Sequence, residues 1–537
     1  MMTKLNSRQN RGGKAHVLSQ TPLGDKMDWK RKRPLLFQIN TRVLLGERGR
    51  ALGQPATLDD VPETLLDSLA DGGFAWVWFL GVWKTGPAAR AVSRGRRDWR
   101  EAFARDLPDL REEDITGSPF AIQDYDVAPE YGGDPALERL RGRLDRRGLK
   151  LLLDFVPNHM SLDHPWTKEH PEWLIEGTGD DLRREPQNWF AAGETGERIL
   201  AHGRDPYFPG WPDTVQLNYF HPGLREAMQE KLLQVAGHCD GVRCDMAMLV
   251  LPDVFRRTWG ERATPRDGSR PAENSFWTEA IARIRAEYPG FLFMAEAYWD
   301  LEWTLQQQGF DFTYDKRLYD RLVSGNARSV REHLWAAPDY QEHSTRFVEN
   351  HDEPRAAAVF SPEQNRSAAI ITFLVPGLRF FYEGQMDGRK VHASMHLGRR
   401  PEEAPDTDLQ AFYKRLYQVL DREEVHTGRW QLAECRAAWE GNPTWDNFVV
   451  MGWERDGDHR LLAVVNYGPT QAQCYARLPF EAETGSILLR DLLSDAIYQR
   501  DGAELEVRGL YLDLPPWGRH VFSLERLTTG TYPAGSG

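Results

Sequence analysis

Four short stretches carry residue types that could do chemistry together: Asp154 with Asn158 and His159, Arg243 with Asp245, Glu296 alone, and His351-Asp352-Glu353. In the second, Gly241-Val242-Arg243-Cys244-Asp245 reads as a buried strand, so Arg243 and Asp245 share one face and Val242 and Cys244 the other. Two charges on one face of an apolar strand are costly unless that face lines a polar site. A guanidinium beside a carboxylate favours its ionised form, which suits a nucleophile. Taken alone, this stretch reads equally as a structural ion pair. The other acidic stretches shift the balance, because several carboxylates aimed at one pocket repel unless a task holds them there. A pair of carboxylates flanking a scissile bond is the machinery of glycoside hydrolysis. His351, Asp352 and Glu353 also suggest metal ligands, but their spacing fits no common metal motif.

Each stretch follows an apolar run that must position it. Runs over 35–40, 74–80, 150–156, 291–296, 310–314, 345–349 and 378–382, with a short strand within 238–248, read as eight strands. Helices predicted over 135–147, 224–237 and 276–288, and one opening at 57–62, alternate with them. Alternating helices and near-continuous apolar strands predict a parallel sheet covered on both faces, and eight units predict a closed (β/α)8 TIM barrel of the α/β class over 34–424. In that architecture the carboxyl ends of the strands form the active face, so the four stretches converge. An excursion over 160–220, rich in Trp, Pro, His and Gly, reads as an insertion after the third strand. Short strands with turn signals over 425–527 read as a C-terminal antiparallel β-sandwich. Residues 1–33 read as a disordered basic tail and 528–537 as a flexible one.

The formal net charge of −13 argues against a general nucleic-acid binder, and no stretch has the length and apolarity of a membrane span. The basic start has no apolar run behind it, unlike a secretory signal, and the four cysteines have no C-x-x-C spacing; a cytoplasmic location is expected. The 19 Trp offer flat faces for stacking on sugar rings as well as for core packing. The sequence sets no oligomeric state.

Taken in order, the four stretches resemble the four signature regions of the α-amylase family of glycoside hydrolases, and the likeness runs over roughly residues 35–525. The resemblance implies Asp245 as nucleophile, Glu296 as acid/base, with apolar neighbours raising its pKa, and Asp352 as stabiliser of the oxocarbenium-like transition state. It implies Arg243, Asp154, His159 and His351 as the substrate-binding set around them. The stretch 117–125 resembles a secondary signature that supplies an aromatic platform under the reacting sugar, here Tyr125 with Phe120 second. Residues 216–219 resemble a fifth region and add Asn218. Asn158 matches a calcium ligand of many members, but its companion ligands are not identifiable and no Asp-x-Asn-x-Asp-Gly loop exists, so no cofactor is required and calcium is admitted only there. The chain departs from the family pattern at Ala121, where members that remove single glucose units carry Asp, and at Met248-Leu249, where many endo-acting members carry Lys-His. The implied activity is retaining hydrolysis of α-1,4-linked glucose oligomers or polysaccharides, with a carbohydrate as the expected partner. The alternative is a transglycosylase or isomerase of trehalose synthase or glucanotransferase type. An inactive barrel kept as a binding subunit is the remote third reading.

Overall fold

The computed structural model describes residues 33–527 apart from 194, 458 and 482–484. The expected tails therefore lie outside the described residues, save Arg33. That residue is no tail: its guanidinium bonds Glu342 and the His426 carbonyl (2.8 Å) and lies 4.5 Å from the Trp453 ring centre.

Eight strands close into a parallel barrel in sequence order: β1 (Leu35–Asn40), β2 (Trp76–Leu80), β3 (Lys150–Phe155), β4 (Gly241–Cys244), β5 (Leu292–Ala295), β6 (Phe312–Tyr314), β7 (Ser344–Arg346) and β8 (Leu378–Tyr382), with β8 returning to β1. Residues such as Val77, Leu151, Val242 and Phe293 are fully buried, as strands covered on both faces require. Helices α1 (Thr41–Leu52), α2 (Glu63–Asp71), α3 (Gly133–Asp145), α4 (Pro222–His238), α5 (Phe276–Glu287), α6 (Ala327–Leu334) and α7 (Pro362–Phe373) lie between them. Local chemistry starts several: Asn40 Oδ1 caps α1 at Val43 N, the His221 ring accepts from Gly223 and Leu224 at the start of α4, and Ser275 caps α5. Gly241 lets β4 lie tight against its neighbour, since a Cβ there would sit 2.8 Å from the Leu292 carbonyl oxygen.

The predicted strand at 345–349 ends early. Past Arg346 the chain turns so that the Glu349 carboxylate takes Arg355 Nη1 (2.7 Å) and the Ala356 N–H (2.6 Å). A second excursion, not foreseen, follows β2: the hairpin Trp83–Thr85/Ile122–Val127 encloses helices Pro87–Gly95 and Arg97–Asp106. These helices share a small core of Phe103, Leu107, Ile115 and Leu397.

The insertion after β3 is anchored by an antiparallel ribbon, His159–Ser161 against Thr214–Gln216. Beyond the barrel, a six-stranded and a three-stranded antiparallel sheet face each other over a second core that includes Val450, Val464, Cys474, Leu512 and Phe522. Trp453 Nε1 on Leu374 O (2.9 Å) and Tyr467 Oη on Leu322 O (2.7 Å) fasten these sheets to the barrel. Among the described residues no helix is long and apolar enough to cross a membrane.

Candidate active site

The barrel ladder itself places two of the carboxylates. Asp245 and Glu296 each stand one residue past a strand end, and their N–H groups still bond the neighbouring strand: Asp245 N to Phe155 O (2.9 Å) and Glu296 N to Cys244 O (3.0 Å). Their backbones are thus as fixed as the barrel. Asp352 comes instead from the loop after β7, where Asn350 Oδ1 accepts from the N–H groups of Asp352 (2.8 Å) and Glu353 (2.9 Å). Its side chain keeps 31% exposure, while those of Asp245 and Glu296 keep 7% and 5%.

Arg243 joins the group. Its side chain is 1% exposed, with Nη1 2.7 Å from Asp245 Oδ1 and 3.7 Å from Asp154 Oδ1, and Nη2 2.7 Å from Glu296 Oε2 and 3.9 Å from Asp352 Oδ2. Rings of Phe120 (5.1 Å), Trp78 (5.4 Å) and Tyr314 (5.9 Å) surround the guanidinium. One cation cannot hold all four acids ionised, and where a carboxyl is buried desolvation favours the neutral form. Burial accordingly raises Asp154 to about 7 against the pull of Arg243. Burial also raises Glu296 to about 8, reinforced by repulsion from Asp245 and Asp352. The expected rise at Glu296 is present, and desolvation by burial is its largest cause. Its Oε2 accepts from Arg243 and the Met246 N–H (2.7 Å), and its Oε1 from the Tyr298 hydroxyl (2.8 Å).

His351 is buried, with Nδ1 2.8 Å from Gln38 Nε2 and Nε2 3.2 Å from Asp352 Oδ2. Burial holds His351 well below its ordinary pKa and brings His159 to about 4, so both rings are neutral near pH 7. His159 packs against Trp211 of the insertion at 4.9 Å.

Several assignments need correction. Tyr125 is not the platform: its ring stacks on Phe155 (5.5 Å), and its hydroxyl donates to Val156 O (3.1 Å) and accepts from Val156 N (2.9 Å). Phe120 lies beside the carboxylate cluster, its ring 5.1 Å from the Arg243 guanidinium and 5.6 Å from the His351 ring. Asn218 closes a turn, its Oδ1 accepting from Phe220 N (3.1 Å), rather than facing the carboxylates. Asp154 is 1% exposed and serves the protein, accepting from Trp78 Nε1 (3.3 Å) and Gly81 N (3.2 Å). Arg243, equally buried, pairs with Asp245 and Glu296. Asn158, the candidate calcium ligand, exchanges two amide bonds with Gln216 (3.0 and 3.2 Å), so its oxygen is engaged. Among the described residues no three His, Cys, Asp or Glu gather as metal ligands. Met248 and Leu249 are buried in the core.

Residues that sequence reasoning missed include Gln38, Trp78, Tyr298 as a hydrogen-bond donor, and His392, whose Nε2 meets the His351 carbonyl at 2.8 Å. Gln38 left a signal, as the one amide-bearing residue inside the apolar run Leu35-Leu36-Phe37-Gln38-Ile39. Three residues past Glu296, Trp299 adopts a left-handed backbone (φ 63°) and meets the exposed Tyr207 of the insertion edge-on at 4.9 Å.

Comparison with known proteins agrees with this geometry. The chain is 24% identical over 422 residues to Maltase 1 of Drosophila virilis, covering 68% of this chain and 59% of that protein. It is 27% identical over 336 residues to an α-amylase of Haloarcula japonica, covering 60% of this chain and 44% of that one. The chain thus spans about half the length of these relatives. The maltogenic α-amylase structure from Thermotoga neapolitana shares the fold with a TM-score of 0.65 at 19% identity, covering 93% of this chain and all of that one. A trehalulose synthase shares it at a TM-score of 0.62 and 17% identity, covering 93% and 99%. The family model for the α-amylase catalytic domain matches residues 112–405, more than half of the 537 residues, and spans all four charged stretches. The chain belongs to the α-amylase family.

Proposed function

We propose that the protein is a retaining glycosidase acting on α-linked glucose oligomers or polysaccharides, working by double displacement. The observation that carries this reading is the sharing of one buried guanidinium by Asp245 and Glu296, at 2.7 Å each. Carboxylates gripped by one guanidinium favour the spacing of about 5–5.5 Å used by retaining enzymes over the ~6.5–9.5 Å that leaves room for a water between them.

In the first step Asp245 attacks the anomeric carbon, and the glycosidic bond breaks with its electron pair leaving on oxygen. That oxygen takes the proton of Glu296. Among the described residues, Glu296 Oε1 meets a hydroxyl that can turn from donor to acceptor, whereas Oε2 faces two fixed N–H donors. Oε1 is therefore the oxygen that carries the transferable proton, and a pKa of about 8 keeps it there at neutrality. In the second step Glu296 takes a proton from water, which attacks the same carbon and frees Asp245. Asp352 and the neutral His351 contact the sugar hydroxyls and tighten as charge develops on the ring. The activities of the relatives, a maltase and an α-amylase, support this substrate class. Four free, buried cysteines suit a reducing, cytoplasmic location.

Incubation with maltose, trehalose, sucrose, maltooligosaccharides and starch, followed by product analysis, tests the reading. Glucose or short maltooligosaccharides are expected. Isomerised disaccharides or lengthened chains would instead mean that a sugar hydroxyl intercepts the intermediate, and no turnover on any of them would overturn the proposal.

Tyr298→Phe isolates one part of it. Removing a donor to the Glu296 carboxylate disfavours its charged form, so the Glu296 pKa rises further. The alkaline limb of the kcat/KM profile should move to higher pH, with the fold unchanged by circular dichroism. An unmoved or lowered limb would show that Tyr298 does not act on Glu296.

A further inference from the structure

A cavity of about 1780 Å³ opens between α1, the helix Pro87–Gly95 and the segment 398–402 that follows β8. Neither Asp245, Glu296, Asp352 nor His351 lines it. Its lining holds nine Arg or Lys against six Asp or Glu, in a chain whose net charge is −13. Three of those acids are already engaged: Glu47 holds Arg400 (2.8 Å), while Asp109 (3.0 Å) and Asp114 (2.7 Å) hold Arg399.

The excess positive charge gathers around residues 115–117, where three guanidiniums grip three successive carbonyls. Arg94 Nε donates to Ile115 O (3.1 Å), Arg90 Nε to Thr116 O (3.3 Å) and Arg42 Nη1 to Gly117 O. Arg90 and Arg94 stand one turn apart on the same helix face. Gly117 (φ 89°) lets that helix approach, since a Cβ there would lie 3.0 Å from Arg90 Cα. Arg42 is 5% exposed, its other partners are the hydroxyls of Thr116 (3.3 Å) and Thr85 (3.1 Å), and its Nε has none. None of these partners is a carboxylate. The nearest acids are Glu130, 3.9 Å from Arg90, and Glu112, 3.6 Å from Arg94.

Neutral oxygens satisfy the N–H groups of a buried guanidinium but not its charge, and an unpaired buried charge is costly. Burial lowers the Arg42 pKa and Arg90 adds repulsion, against which Tyr131 and Glu130 pull the other way. Burial also raises the Tyr131 phenol, which therefore stays neutral and supplies no counter-charge. A strut that merely tied residues 115–117 to α1 would not need three cations sharing one cavity. What completes the arrangement is an anion. A phosphate brings two charges and three terminal oxygens to several guanidinium forks, where a carboxylate brings one charge and two oxygens. The volume left beyond it accommodates a sugar ring. We propose that this end of the cavity is a binding site for a phosphate group, free or carried by a sugar, held by Arg42, Arg90 and Arg94.

Titration calorimetry on the full chain tests it, at low ionic strength in a phosphate-free buffer, with inorganic phosphate, glucose 6-phosphate and glucose as probes. Both phosphates should bind. Arg90→Gln, at a half-buried position outside the catalytic cluster, should weaken that binding about tenfold or more, the order of one lost charge-assisted hydrogen bond. Arg90→Lys keeps the charge and should lose less. Arg42→Gln should weaken binding at least as much; if that buried change prevents folding, Arg90→Gln still decides. Glucose 6-phosphate binding more tightly than phosphate upholds the site with a phosphorylated sugar as its ligand, and equal affinity upholds it with free phosphate. Three results would overturn it: no phosphate binding, glucose binding as tightly as glucose 6-phosphate, or phosphate binding that Arg90→Gln leaves unchanged. A thermal stabilisation by phosphate that sodium chloride reproduces at equal ionic strength would overturn it too, since screening alone would then account for the effect.

Discussion

Asp245→Asn abolishes turnover on every α-glucan, with a loss of roughly 10⁴-fold or more, the usual cost of removing a nucleophile. The expectation follows from what Asp245 does and where it sits. Its backbone is tied into the barrel ladder through Phe155 O at 2.9 Å, so an isosteric amide leaves the scaffold in place. The amide cannot form the covalent bond to the anomeric carbon. It also removes one of the two acids that bond Arg243 at 2.7 Å, and Glu296 remains as partner, so the buried guanidinium is not orphaned. Steady-state rates checked against circular dichroism measure the effect. Substantial residual activity in a preparation free of deamidated or wild-type enzyme would rule out the assignment.

Glu296→Gln has a different signature. Rates on substrates with poor leaving groups fall by about 10²–10⁴-fold, the range for a lost general acid/base. Activated aryl glucosides need little protonation and still form the glycosyl-enzyme. Its release then stalls, because no base activates water. Azide, which needs no such activation, should speed release and give a β-glycosyl azide. If all substrates slow equally and azide has no effect, Glu296 is not the acid/base. A glutamine here also donates through Nε2 toward Arg243 or Met246 N, so a small loss of thermal stability should accompany the change.

The contrast between legible and illegible parts of the molecule has a physical basis. The barrel was readable because its strands are near-continuous apolar runs ending in charged residues, and Asp154, Asp245 and Glu296 stand at or next to those ends. Position relative to a strand end is a local property. Which aromatic ring faces the pocket is not. Phe120 and Tyr125 lie five residues apart in one segment, and the choice turns on the Tyr125 hydroxyl finding the Val156 backbone, thirty-one residues away. The same holds for Asn218, whose amide is consumed by a turn, and for Asn158, consumed by Gln216. The helices at 87–106 escaped notice because their sequence, Arg94-Gly95-Arg96-Arg97-Asp98 at the join, is dense in charge and poor in large apolar residues. Their core is completed by Leu397, supplied from almost three hundred residues downstream. The crowding of four acids on Arg243 was half visible: the Arg243–Asp245 pairing is two residues wide, but the approach of Glu296 and Asp352 depends on barrel closure.

The central claim is that Asp245 and Glu296 act by double displacement, and the configuration of the first product tests it most directly. Two inversions at one carbon restore the starting configuration, whereas a single attack by water reverses it. Proton NMR of a fresh digest of maltooligosaccharide, recorded before mutarotation equilibrates the anomers, resolves the two outcomes. The predicted result is that the newly formed reducing end appears first as the α-anomer and drifts later toward the equilibrium mixture. A β-anomer appearing first would contradict the mechanism.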